Sequence, residues 1–325
     1  MQAPDFWRRD GFLARALQPL AWLYGAAGRL RWAMAKPWQA SVPVICIGNL
    51  VAGGAGKTPT ALAVGRALAQ RGLAVHFLSR GHGGRLHGPN RVDPTLHGSV
   101  DVGDEPLLLA AAAPAWIARD RVGGARAAIA AGAQVIVMDD GFQNPGLAKD
   151  LSLLVIDGAY GLGNGRVHPA GPLRETAALG LARADGVVVL QSGEAPAPLP
   201  SLGRPCLTAR LIPNDAALAL RGCRAVAFAG IGRPERFFQT VRELGVELVG
   251  QQAFADHHPF REDEIWRLLE MAQGLDARLL TTAKDAVRLP GAARAMVTVI
   301  DVSLAFDSPD DFERLLDRTV GVGVS

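Results

Sequence analysis

Residues 44–60, VICIGNLVAGGAGKTPT, set the tightest limit on what this chain can fold into. An apolar β-branched run gives way to a glycine-rich loop ending in Gly56-Lys57-Thr58, and the apolar stretch 62–72 predicts a helix behind it. Strand, glycine loop and helix in that order build a cradle for a nucleotide triphosphate. Gly53, Gly54 and Gly56 let backbone N–H groups curl around phosphate oxygens in conformations that a Cβ would block. The helix N-terminus then faces those phosphates. Lys57 can reach the β- and γ-phosphates, and the Thr58 hydroxyl can ligate Mg²⁺. The expected nucleotide-binding set is therefore Val51, Ala52, Gly53, Gly54, Ala55, Gly56, Lys57 and Thr58, with ATP and Mg²⁺ as cofactors. The loop departs from the G-x-x-x-x-G-K-[ST] pattern at Val51 and is nearer the GGxGKT variant, although Ala52 stands where that variant often has a lysine.

Continuous apolar runs predict strands at 43–48, 74–78, 134–139, 152–157, 186–190, 225–230, 278–282 and 296–301. Runs of this kind suit a parallel sheet buried on both faces. Helical stretches at 105–112, 124–131, 234–244 and 262–273 alternate with them, as βαβ units require. The Pro-rich stretch 196–205 predicts a domain boundary, after which a fresh strand–helix series begins with its own glycine turn, AGIGRPERFF. The expected fold class is α/β: a P-loop NTPase-like parallel sheet domain over 41–204 and a second, smaller α/β domain over 205–325 that closes the cleft. A chain of 325 residues is long enough for both. Cys46, Cys206 and Cys223 show no paired spacing, which suits a reducing compartment.

Residues 1–40 differ from the rest. They carry six Lys/Arg against Asp5 and Asp10, a net +4, whereas the other 285 residues hold 28 basic and 29 acidic side chains. Trp7, Trp22, Trp32 and Trp38, four of the six tryptophans, also lie there. Basic residues mixed with Trp, Leu and Phe mark an interfacial helix at a membrane surface. The longest uncharged stretch, Ala16 to Gly28, is shorter than the roughly 20 apolar residues that a span needs. It contains Pro19, and no small-residue cleavage site follows it.

The stretch VIVMDDGFQ over 135–143 is an apolar strand ending in two carboxylates, the form of a Walker B element. A carboxylate at such a strand tip can hold the Mg²⁺ that bridges β- and γ-phosphates. One contact needs one aspartate, so either Asp139 or Asp140 is free for a second task.

GGAGKTP at 53–59, SRGHGG at 79–84, VGDEP at 102–106, DDGFQ at 139–143, GNG with PAGPLRE at 163–175, and FADHHPF at 254–260 occur in that order. Together they resemble the tetraacyldisaccharide 4'-kinase (lipid A 4'-kinase) family, from about residue 5 to about residue 302. The resemblance implies transfer of the ATP γ-phosphate to the 4'-hydroxyl of an acylated glucosamine disaccharide 1-phosphate, giving lipid IVA. It also implies a peripheral location on the cytoplasmic face of the bacterial inner membrane. Carried over by position, it implies phosphate and Mg²⁺ contacts for Lys57 and Thr58, and the Walker B role for Asp139 and Asp140. Glu175 of PAGPLRE becomes a further metal-coordinating carboxylate. Asp104 with His257 becomes the pair that activates the sugar hydroxyl, completed when the two domains approach. A sugar hydroxyl is a poor nucleophile, so a carboxylate placed to take its proton aids the transfer. Two positions depart from the family pattern: His82 where tyrosine is common, and Asn144-Pro145 where a basic or His-containing stretch follows DDGFQ.

Two other classes share features with this chain. A membrane-associated P-loop ATPase switch without a lipid acceptor would explain GGxGKT and the anchor, but not GDEP, PAGPLRE or DHH. A guanine-nucleotide switch needs N-K-x-D, and the closest stretch, TTAKD over 281–285, has Ala283 where that lysine belongs. No nucleic-acid partner is expected, and no oligomeric state is read from the sequence.

Overall fold

A computed structural model describes residues 4–54, 56–191, 196–197, 199 and 203–321. Among the described residues, thirteen strands form two sheets: β1 Val44–Gly48, β2 Val75–Ser79, β3 Asn90–Arg91, β4 Ala115–Ile117, β5 Val135–Asp139, β6 Leu151–Asp157, β7 Gly186–Gln191, β8 Cys206–Pro213, β9 Arg224–Ala229, β10 Glu247–Ala253, β11 Arg278–Thr282, β12 Thr298–Ile300 and β13 Val302–Phe306. The large sheet runs β13-β8-β7-β6-β1-β5-β2-β4-β3, and the small one β10-β9-β11-β12. Every pairing in the large sheet is parallel except at the two edges, where β3 and β13 run antiparallel to their neighbours. All pairings in the small sheet are parallel.

The apolar runs form central strands because both faces are covered. Along β1 and β5, Ile45, Ile47, Val135 and Val137 join one core with Val64, Leu68 and Phe77. The alternate residues Val44, Cys46, Ile136 and Met138 join the other, with Ala125, Ala128 and Leu154. A period of two thus feeds two cores, and each fully buried Ile or Leu contributes about 1.5–3 kcal/mol relative to exposure. The helix Lys57–Gln70 lies close on β2, since a Cβ on Gly65 would stand 2.4 Å from the Phe77 ring. The small sheet is likewise covered twice, by Phe237, Phe238 and Val241 of helix Pro234–Glu243 and by Ile265, Leu268 and Leu269 of helix Glu262–Gly274.

The expected division at 204/205 falls in a different place. β8 continues the large sheet beside β7, and β13 returns to pair with β8. The helix Pro309–Val320 then buries Phe312 and Leu316 in the first core, and Asp317 accepts from Arg71 at 2.8 Å. The second lobe is therefore an insertion over residues 214–301 within the larger one. β8 escaped the sequence reading because it is half-buried and alternating, not a continuous apolar run.

At the N-terminus, the helices Phe12–Ala16 and Gln18–Met34 bury only Ala14 and Ala21. Phe12, Leu13, Leu20, Trp22, Leu23, Tyr24, Leu30 and Met34 are exposed. One side of this segment is docked: Trp7 donates to the Pro169 carbonyl at 3.2 Å, Arg166 to Asp10 at 2.9 Å, and Tyr24 packs edge-on against His168. Among the described residues, no helix is long and apolar enough to cross a membrane.

Candidate active site

The glycine loop leaves β1 and is held at several points. Asn49 is buried, and its Nδ2 donates to the carbonyls of Val51 at 2.7 Å and Gly53 at 3.2 Å. Ala52 N–H donates to Pro172 O at 2.8 Å, Arg174 N–H donates to Leu50 O at 2.7 Å, and Val51 bridges Leu173. The GGxGKT loop is thus paired by its backbone with PAGPLRE. Val51 replaces the pattern glycine without strain, because its place in that bridge is extended. Gly53 at φ +124° and Gly56 at φ +82° do need glycine. A Cβ on Gly56 would also stand 2.1 Å from Leu190 Cδ1. Gly54 has no left-handed φ and no neighbour within 4 Å of a Cβ, so the requirement expected there is absent. Ala55 lies outside the described residues.

Lys57 is the first residue of its helix, with Nζ 3.4 Å from Gly53 O and 3.7 Å from Asp140 Oδ1. The Thr58 hydroxyl donates to Asp139 Oδ2 at 2.9 Å. Asp139 ends β5 and is 2% exposed, and its Oδ1 has no hydrogen-bond partner. Burial pushes its carboxyl up to about 7. Asp140 follows at φ +53°, which turns it away from the strand line. Burial would raise its carboxyl as well, but Lys57 and Arg174 outweigh that and hold it below the usual carboxylate range. Arg174 donates to Asp140 at 2.8 and 3.4 Å.

Glu175 is turned to other partners: it accepts from Arg183 at 2.6 Å and from Gln143 at 3.2 Å. Gln143 in turn accepts from Arg174 at 3.3 Å, so a chain of polar contacts runs from Glu175 to Asp140. Among the described residues, no three His, Cys, Asp or Glu side chains gather closely enough to hold one ion. The structure brings Thr58 and Asp139 together and leaves Glu175 on Arg183. Asp139 Oδ1, buried and unpartnered beside a hydroxyl, suits a divalent cation: hard oxygen donors are what Mg²⁺ takes. A positive ion there would remove the desolvation penalty on the carboxylate.

The other cluster joins the two lobes. Asp104 opens the helix Asp104–Ala110 after Gly103, whose φ of +88° and whose approach to His82 O, 2.3 Å from a Cβ, admit only glycine. His257 sits at φ +59° in the turn after β10, its N–H donating to Gly230 O at 3.0 Å. Its Nδ1 lies 2.8 Å from Asp104 Oδ2, across 153 residues of sequence. His258 points elsewhere, to Glu264 at 2.9 Å, and stacks on Phe254.

Arg174, Arg183, Gln143, Glu105, Lys284 and Arg288 were not singled out by the sequence reading. Arg174 and Gln143 lie inside PAGPLRE and DDGFQ and could have been found there. Lys284 lies in TTAKD, weighed above only as a guanine-base motif. Asn144, one of the two departures, caps its own turn by accepting from Gly146 and Leu147 N–H at 3.0 and 3.2 Å.

Comparison with known proteins places the chain in a family. The family described as "Tetraacyldisaccharide-1-P 4'-kinase" matches residues 13–321. The chain is similar to the tetraacyldisaccharide 4'-kinase of Rhodospirillum rubrum, 54% identical over 325 residues and covering 98% of each chain. It is 56% identical to that of Rhodospirillum centenum over 323 residues, covering 97% of this chain and 96% of the other. Among solved structures, LpxK from Aquifex aeolicus in complex with ATP superposes with a TM-score of 0.76 at 25% identity, covering 95% of this chain and all of that one.

Proposed function

This chain belongs to the tetraacyldisaccharide-1-phosphate 4'-kinase family, and we propose that it transfers the γ-phosphate of ATP to the 4'-hydroxyl of a tetraacyldisaccharide 1-phosphate in lipid A biosynthesis. The observation that carries this reading is the contact between Asp104 and His257, which joins the second lobe to the lobe bearing Lys57, Thr58 and Asp139. A nucleotide switch needs no such pair, whereas a kinase with a hydroxyl acceptor does.

Lys57 and the N–H groups of the glycine loop hold the nucleotide phosphates, and Lys57 counters charge on the group in transit. Thr58 and Asp139 are the residues that would hold Mg²⁺, which would supply neutralisation of the phosphate charge when bound. The acceptor oxygen forms a bond to phosphorus as the bond to the ADP oxygen breaks, and the hydroxyl proton passes to Asp104. His257, through the contact of its Nδ1 with Asp104 Oδ2, orients the carboxylate. Arg174 and Lys57 keep Asp140 ionised beside the phosphates. Glu175, on the segment paired with the glycine loop, is a further metal ligand only after it leaves Arg183.

The acceptor is a lipid, and the N-terminal helices lie on a membrane surface, at the cytoplasmic face where ATP is available. The exposed Phe12, Trp22, Leu23, Leu30 and Met34, together with the net positive charge of residues 1–40, support this placement.

The test is incubation with γ-labelled ATP, Mg²⁺ and the disaccharide 1-phosphate, followed by lipid extraction. Label in the lipid fraction that depends on the acceptor is the expected result. Release of labelled phosphate with none in lipid would overturn the proposal in favour of an ATPase.

A further inference from the structure

Lys284 stands where the lobes meet, in the short helix Ala283–Ala286 that follows β11. Its Nζ lies 3.4 Å from His257 Nε2 and 3.2 Å from Glu105 Oε1. The other ring nitrogen of His257 is the one held 2.8 Å from Asp104 Oδ2. An ammonium group has three donors and no lone pair, so the nitrogen facing it must accept. Nε2 therefore carries no proton, and the ring's single proton sits on Nδ1, donated to Asp104. We infer that Lys284, anchored by Glu105, is a positioning residue that fixes the Nδ1–H tautomer of His257 and so keeps Asp104 coupled to it. The inference rests on the reading of Asp104 as proton acceptor and His257 as its orienting partner.

The surroundings of the ring make the lysine necessary. Asp104 faces it from the first lobe, and Glu105 reaches it through Lys284. From the second come Lys284 and Asp256, whose Oδ1 is 3.8 Å from Nε2. Arg288 also approaches, but its guanidinium contacts Asp104 Oδ2 at 3.4 Å and is tied to Asp285 at 2.7 Å, not to the ring. Without Lys284, the carboxylate nearest Nε2 would be Asp256, an acceptor. The ring proton would then favour Nε2, and Nδ1 would turn a lone pair toward Asp104 Oδ2. The pair would be broken although both members remained in place. With Lys284 present, His257 Nδ1–H donates to Asp104 Oδ2, the Arg288 guanidinium lies 3.4 Å from the same oxygen as a charge, and Oδ1 is left to the acceptor hydroxyl. Glu105 and Lys284 belong to different lobes, so lobe closure itself sets the tautomer.

The experiment is ¹⁵N NMR of histidine-labelled full-length protein, with the His257 ring signals assigned by their absence in His257→Gln. The native protein gives the Nδ1–H pattern, and Lys284→Met loses it. In parallel, kcat for lipid phosphorylation in Lys284→Met falls by about 10–10²-fold, as expected when a catalytic group is misplaced. The KM for ATP stays within about two-fold, because the nucleotide site is untouched. Lys284→Arg, which keeps a donor-only cation, restores the tautomer and most of kcat. An unchanged ring pattern, or an unchanged kcat, in Lys284→Met overturns the inference. Full activity in Asp104→Ala would instead overturn the reading of the pair, an outcome the NMR result does not depend on.

Discussion

Asp139 and Asp140 are neighbours in the chain and opposites in surroundings: Asp139 is sealed in the sheet tip against the Thr58 hydroxyl, and Asp140 is turned out to Arg174 and Lys57. Burial lifts the first carboxyl to about 7, while the two cations hold the second below the usual range. Adjacent carboxylates pushed apart in this way take different tasks.

The split gives a pH dependence. In protein free of nucleotide and Mg²⁺, folded Asp139 keeps its proton up to about pH 7. In the unfolded chain it loses that proton near pH 4. Between these values the native state holds the extra proton, so stability falls as pH rises from about 4 to 7 and levels off above. The loss is of the order of 4 kcal/mol. Denaturant melts at pH 5 and 7.5 should show it, and Asp139→Asn should flatten the difference. Added Mg²⁺ should restore stability more at pH 7.5 than at pH 5.

Lys57→Ala removes a charge that acts on the transferring group and, in the free protein, leaves Asp140 to Arg174. Turnover should drop by about 10²–10³-fold or more with an unchanged melting temperature. Near-normal turnover would take the glycine loop out of the mechanism.

Asp104→Ala and His257→Ala should each lower kcat, by about 10²–10⁴-fold for loss of the proton acceptor, with little effect on ATP affinity. The double variant should be hardly worse than the poorer single one, since groups acting together lose their effects non-additively. Multiplicative losses in steady-state kinetics would show that the two act separately.

Trp22, Leu23 and Leu30 are exposed, so changing all three to Glu should leave the melting temperature unaltered. Binding to anionic vesicles should weaken, and KM for lipid should rise more than KM for ATP, because an anchor supplies local concentration and not chemistry. Unchanged vesicle sedimentation would place the membrane contact elsewhere.

The central strands and the glycine loop were legible in the sequence because burial on both faces leaves an unbroken apolar run. β8, β10 and β13 were not, since half-buried or edge strands keep polar residues. The helix at the glycine loop starts at Lys57, five residues before the apolar stretch that announced it, because phosphate-facing polar residues fill its first turn. Among the site residues, Lys57, Thr58, Asp139, Asp104 and His257 stood inside motifs, and the structure brings them into two clusters. The basic side chains that hold them were silent, because an arginine or lysine has no local pattern. Only the fold decides that Arg183 meets Glu175 or that Lys284 meets Glu105.

The chain leaves the large sheet at Pro213 and re-enters it at Val302, and these two residues are partners on adjacent antiparallel strands. Asn214 N–H also donates to Asp301 O at 3.1 Å, just beyond that pair. The insertion therefore hangs from two tethers lying side by side. One tether would leave it free to swivel; a fastened pair narrows the directions in which it can move against the larger lobe. The placement of His257 against Asp104 is thus supported by a strand pair at the sheet's edge, in a part of the chain that carries no chemistry.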